Sequence, residues 1–155
     1  MKTVDPTTQT YFDDIDLGDE FEDEWTPDME QVLGYLGLEG DALGEGGGPT
    51  GDGRFTDPEG ARKLGFPKPI VPGAFSLSKL TKLVTDWVGT GGSVDFVDVN
   101  FRRPVLHDDA LKVQGLVTDT EEGDGAGTVK LDIYLENERG ERPLQGTAVV
   151  QLPRR

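Results

Sequence analysis

Residues 73–88 place Leu77, Leu80, Val84, Trp87 and Val88 on one face of a helix, with Phe75 and Leu83 flanking them and Gly89 to end the run. Four segments of period two follow. Val97, Val99 and Phe101 alternate with Asp98, Asn100 and Arg102; then come Leu111, Val113, Gly115 and Val117; then Val129, Leu131, Ile133 and Leu135; and finally Ala148, Val150 and Leu152. Polar turns fall at residues 106–109, 121–127 and 137–140, so the last strands are expected to form an antiparallel meander. A helix of about four turns with a wide apolar stripe must be covered, and strands with one apolar face must cover something. The fold class expected from these elements is α+β, with the helix packed against an antiparallel sheet.

The first half of the chain is less regular. Residues 1–10 are polar and patternless and are expected to fray, leaving residues 11–155 as a single domain. Leu17-Gly18-Asp19 reads as the turn before a first strand. Met29, Val32, Leu33 and Leu36 have helical spacing, with Thr26 or Asp28 near the N-cap and Gly37 and Gly40 after the end. Residues 39–53 hold seven glycines without periodicity and are expected to form a loop. A phosphate cradle is disfavoured there. No Gly-Lys-Ser/Thr follows, and Asp41, Glu45 and Asp52 would repel a polyphosphate. A lid or insertion beside a ligand tunnel fits the loop better. Asp57 is a natural N-cap for a short helix, with Pro58 at its first position, Glu59 in its first turn and Gly65 at its stop. Phe66-Pro67-Lys68-Pro69 is expected to run extended.

Charge and composition exclude several classes of function. The net charge of −15 is concentrated at the start, where residues 1–53 hold fifteen acidic side chains against Lys2 alone. No basic stripe is present to neutralise nucleic-acid phosphates, and an anionic membrane surface would repel the first third. With no cysteine and only His107, thiolate chemistry and histidine metal clusters are not expected. No apolar run approaches eighteen residues and no secretory leader pattern opens the chain, so a cytoplasmic protein is expected.

Residues 50–87 carry a resemblance that spans most of the chain, about residues 11–153. Its most specific parts are the stretch from Phe55 through Asp57-Pro58-Glu59-Gly60-Ala61 to Phe66, Ile70-Val71-Pro72-Gly73-Ala74-Phe75, Thr85-Asp86-Trp87-Val88-Gly89 and Asn100-Phe101-Arg102-Arg103-Pro104-Val105. In order and spacing these resemble the MaoC-like dehydratases and R-specific enoyl-CoA hydratases, which have the hotdog fold. That family carries an Asp-x-Asn-Pro-x-His run before its Asp-Pro-Glu-x-Ala helix start. Counting back from Asp57, Phe55 stands where the resemblance would put the histidine, Asp52 where it would put the asparagine, and Thr50 where it would put the aspartate. The family's His-Gly pair before the central helix is here Pro72-Gly73, so the resemblance implies that Gly73 keeps a backbone donor for a thioester carbonyl.

Hydration of an enoyl thioester needs a base for water, an acid for the α-carbon and donors for an enolate-like oxygen. Phe55 supplies none of these through its side chain. Thr50 can orient water but accepts its proton poorly. The substitute carboxylates are Asp52, Asp57 and Asp41, of which Asp57 doubles as a helix cap and the other two as ordinary loop residues. His107, in a turn, reads as a solvated surface histidine. Arg102 and Arg103 could meet coenzyme A phosphates or serve as surface ion-pair residues. Trp87, on the apolar helix face, reads as core.

The resemblance leaves two functions open: a hydratase or dehydratase of acyl-CoA thioesters, or a non-catalytic subunit completing the site of another hotdog chain. In either case acyl-CoA is expected in a tunnel bordered by Thr50, Asp52, Phe55, Ile70, Pro72 and Gly73. Its carbonyl would lie near the N–H of Gly73 or Ala74. Coenzyme A would be part of the substrate, no resident cofactor or metal is expected, and the partner would be a second hotdog chain in a homodimer or hetero-oligomer.

Overall fold

In a computed structural model, residues 1–37 and 53–155 are described. The central helix expected from the apolar stripe is α3, Gly73–Val88, which buries Ser76, Leu80, Leu83, Val84, Trp87 and Val88. Leu83 is thus part of the buried stripe rather than its flank, and Leu77 is only partly covered. The helix lies in a six-stranded sheet of order β1-β2-β4-β5-β6-β3, built from β1 (Lys2–Thr3), β2 (Glu20–Trp25), β3 (Ser93–Phe101), β4 (Leu111–Glu121), β5 (Ala126–Glu136) and β6 (Leu144–Pro153). The β4–β5–β6 meander is antiparallel, as its turns require. Its period-two residues Val113, Val117, Val129, Leu131, Ile133, Leu135, Ala148, Val150 and Leu152 all enter the core with the helix stripe. The α+β class expected from the sequence is the one observed.

Two short helices complete the frame. In α1 (Met29–Leu36) the Asp28 carboxylate accepts from the Gln31 N–H at 2.9 Å, and Gly37 ends the helix with a left-handed φ of 70°. In α2 (Pro58–Lys63) Asp57 Oδ1 accepts from the Glu59 N–H at 3.1 Å, while Ala61 is fully buried. A 3-10 turn at Phe12–Asp14 is clamped from the far end of the chain: Arg154 reaches Asp13 at 2.7 Å and Arg155 reaches Asp14 at 2.6 Å.

The structure departs from the sequence pattern in two places. Residues 1–10, expected to fray, are tied down at both ends. Lys2 and Thr3 pair in parallel with Phe21 and Glu22, and Gln9 donates from Nε2 to the Val88 carbonyl at 2.6 Å while accepting from the Gly91 N–H at 2.7 Å. The strand that follows α3 also does not join the sheet in sequence order. Strand β3 pairs with β6 and so becomes a sheet edge, with a register shift between Val94 and Phe96. Its two faces do not separate as cleanly as its alternation suggests. Val97 and Val99 are half-buried, whereas Phe96 is 54% and Phe101 55% exposed.

Among the described residues no helix is long and apolar enough to cross a membrane.

The tightest packing is at Gly115. Phe21 and Trp87 stack with ring centroids 4.3 Å apart and planes 3° from parallel, and a Cβ on Gly115 would overlap the Phe21 ring. The ring cannot retreat, because Trp87 backs it. Gly115→Val is therefore expected to cost about 1–3 kcal/mol by overpacking. Leu80→Ala, at a fully buried site on α3, is expected to cost about 2–5 kcal/mol. Urea unfolding checks both, and a wild-type midpoint in either variant would contradict this account of the core.

Candidate functional site

Local geometry builds a cavity at the N-terminus of α3. The chain before that helix is held extended by a lattice of backbone bonds: the Ile70 N–H donates to the Arg54 carbonyl at 2.8 Å, the Val71 N–H to the Val105 carbonyl at 2.8 Å, and the His107 N–H to the Pro69 carbonyl at 3.0 Å. Ile70 and Leu106 form a bridge beside these bonds. Segments 54–55, 69–71 and 105–107 are thereby fixed together although they lie far apart in sequence.

The cavity has a volume of about 420 Å³. Its walls include Phe55, Ile70, Gly73, Arg102 and Arg103, so five of the residues singled out from the sequence converge on one space. Pro72 and Ala74 belong to the start of α3 but are not among the residues lining the cavity. Asp57 is directed elsewhere, capping α2. Asp41, Thr50 and Asp52 lie outside the described residues.

Helix α3 begins without a side-chain cap, because its N-cap is Pro72. The N–H groups of Phe75 and Ser76 both turn back to the Pro72 carbonyl, at 3.0 and 3.2 Å. Those of Gly73 and Ala74 have no acceptor among the described residues, which is the ordinary condition of a helix start and makes it receptive to an anionic or carbonyl oxygen. The Phe101 ring lies across Gly73, its Cε1 3.1 Å from where a Cβ would sit, so a side chain at position 73 would press on that ring.

The two arginines at the rim differ. Arg103 is held by Glu141 at 2.7 Å, and the same carboxylate accepts from Arg139 Nε at 2.8 Å. These contacts, with the Arg139 bond foremost, keep the Glu141 carboxyl below its usual range. Arg102 has no ion-pair partner among the described residues, although its backbone N–H is anchored on the Pro143 carbonyl at 2.8 Å.

Sequence reasoning missed two residues. Ser76 lines the cavity, is 1% exposed, and its Oγ has no hydrogen-bond partner among the described residues. A signal for it was present: Ser76 falls one helical turn before Leu80 on the buried stripe, a polar residue in an apolar register. His107, read as a solvated turn histidine, is instead only 4% exposed. The bond to Pro69 and the Ile70–Leu106 bridge pull its turn inward, so the ring faces the Phe55 and Ile70 carbonyls, and Nε2 has no partner among the described residues. Among the described residues no group of His, Asp and Glu side chains gathers in a way that could hold a metal ion.

Comparison with known proteins decides the family. Residues 55–138, more than half of the chain, match the model of the MaoC-like domain. The chain belongs to the MaoC-like domain family. No curated protein matches it by sequence. Among solved structures this MaoC-like domain resembles the (R)-hydratase from A. caviae involved in PHA biosynthesis, with a TM-score of 0.73 and 22% identity over 90% of this chain and 98% of that one. It also resembles the R-hydratase PhaJ1 from Pseudomonas aeruginosa, with a TM-score of 0.74 and 19% identity over 94% of this chain and 86% of the other. A third neighbour is the ChsH1-ChsH2 complex from Mycobacterium tuberculosis, with a TM-score of 0.65 and 17% identity over 90% of this chain and 98% of that one. These similarities establish the hotdog fold, a sheet wrapped around a central helix.

Burial lowers the His107 pKa below its ordinary value of about 6.5, with the Asp108 charge opposing the shift. The native ring is therefore neutral where the unfolded chain already takes up a proton. Its contribution to stability is complete above about pH 6.5 and is lost as the pH falls below it. Denaturation midpoints are expected to drop between pH 7.5 and 5.5 in the wild type and to drop less in His107→Gln. Equal slopes in the two proteins would contradict the burial of a neutral imidazole.

Proposed function

We propose that this MaoC-like domain binds an acyl-CoA thioester in the cavity at the start of α3, as a hydratase or dehydratase type of protein with its usual Asp/His pair out of register. The observation that carries the reading is the conjunction of two free helix-start donors, at Gly73 and Ala74, with an adjoining cavity of about 420 Å³ whose rim bears Arg102 and Arg103. The thioester carbonyl would accept from one or both N–H groups, where the helix dipole also favours the negative charge that develops on an enolate oxygen. Arg102, having no competing carboxylate among the described residues, is the better candidate for a coenzyme A phosphate. Coenzyme A enters as part of the substrate, and the chemistry requires no further cofactor.

Proton transfer is the weak part of this constellation. Among the described residues the cavity wall includes no carboxylate and no imidazole: Phe55 offers a hydrocarbon ring, Ser76 a neutral hydroxyl, and His107 is not part of the wall. The remaining candidates are Asp52, Thr50 and Asp41, with Asp52 preferred because it precedes Arg54, whose charge would hold the carboxylate ionised. Crotonyl-CoA hydration by the purified protein is expected to run about 10²–10⁴-fold below a family member with the usual pair, the typical worth of a positioned acid or base. Robust turnover would overturn this expectation, and an Asp52→Asn variant with unchanged turnover would then remove Asp52 from consideration.

The second reading, a non-catalytic subunit that completes the site of another hotdog chain, is favoured by the sheet edge. Among the described residues strand β3 has one side unpaired, and it exposes Phe96 and Phe101, a combination that invites strand-to-strand joining. One structural neighbour is itself a two-component complex. Association through β3 is expected to give a dimer at micromolar concentration, weakened by Phe96→Glu. Sedimentation showing only a 16.8 kDa species would count against an edge-joined homodimer and leave a second, different chain as the partner.

A further inference from the structure

The hydroxyl of Ser76 is the one buried side-chain oxygen among the described residues that has no hydrogen-bond partner. Such a group is costly to leave unmade in a folded protein. A serine in a helix ordinarily satisfies itself by bonding back to the carbonyl four residues earlier. Here that carbonyl belongs to Pro72 and already accepts from the N–H groups of Phe75 and Ser76. The hydroxyl is thus left over by the way α3 starts, and Ser76 lines the cavity rather than the packed core.

Its position relative to the helix-start donors is informative. Ser76 is two residues beyond Ala74, an axial rise of about 3 Å, and helical side chains lean toward the N-terminus. A carbonyl oxygen on the free N–H groups therefore puts the second or third carbon of an acyl chain beside Ser76. The neighbouring lining is apolar, from Val71, Val105 and Leu144, so no competing polar group is supplied by those residues. The ring of Phe101, more than half exposed, lies over Gly73 and is the part of the cover that can turn aside for a ligand.

We infer that Ser76 is a specificity-determining residue that hydrogen-bonds a hydroxyl on the third carbon of the acyl group, so that the cavity selects 3-hydroxyacyl thioesters over saturated ones. This rests on the thioester-binding reading above. Ser76 makes no covalent bond and transfers no proton; it receives or donates one hydrogen bond to the C3 hydroxyl, and its neutral hydroxyl keeps that capacity across the physiological pH range.

The test compares 3-hydroxybutyryl-CoA with butyryl-CoA by calorimetry on the full-length wild type and on Ser76→Ala. The wild type is expected to bind the hydroxyacyl ester about tenfold more tightly, the worth of one well-made buried hydrogen bond. In Ser76→Ala the preference should vanish while affinity for butyryl-CoA stays the same. The thermal midpoint of that variant should equal or exceed the wild type, because the hydroxyl removed has no protein partner. Equal binding of the two esters by the wild type, or a preference that survives in Ser76→Ala, overturns the role of Ser76 and leaves the thioester reading intact. Binding of neither ester overturns both.

Discussion

Everything in this domain is arranged around the burial of one helix face. The stripe of α3 that carries Leu80, Leu83, Val84, Trp87 and Val88 is too wide for any single strand to cover, and the concave face of the β4–β5–β6 meander covers it with Val, Leu and Ile side chains from all three strands. At about 25 cal/mol per Å² of apolar surface removed from water, this contact is the dominant stabilising term available to the chain. The Phe21–Trp87 stack extends it to β2, and Gly115 provides the room that the stack needs.

The same helix makes the candidate site. Its interior is committed to the core, but its first turn emerges at the end of the sheet with a proline cap that has no side chain able to accept from the N–H groups behind it. Donors without an acceptor among the described residues follow from that choice of residue. The extended segment before the helix is pinned to 105–107, and this pinning brings Phe55, Ile70 and the Arg102–Arg103 pair around those donors. The donors and the cavity are therefore a by-product of how the helix is inserted, whereas proton transfer needs particular side chains at particular places, which is why the fold alone does not fix activity.

Phe55 gives its part of the cavity wall a hydrocarbon ring. That ring is partly buried against the core, and the only histidine of the chain is held neutral by burial. The cavity is lined in large part by apolar side chains, with polar groups at the helix start, at Ser76 and at Arg54, Arg102 and Arg103.

By itself the sequence determined the elements whose signals are local. The period of 3.6 in residues 73–88 and the period of two in the last four segments specify which backbone hydrogen bonds can form and which side chains must be hidden; Asp28, Asp57, Gly37 and Gly89 mark helix ends because capping is a contact within a few residues. The family motifs added the position of Phe55, Ile70 and Gly73 on one site. Tertiary structure decided what depends on distant pairings. It set β3 beside β6 rather than beside its neighbour in sequence, which left Phe96 and Phe101 exposed. It buried His107, whose turn looks solvent-exposed until the bond to Pro69 draws it in. It also left the Ser76 hydroxyl without a partner among the described residues, an outcome that hinges on how many donors the Pro72 carbonyl already serves. Periodicity reports which face of an element is covered, but only the packed fold fixes what covers it.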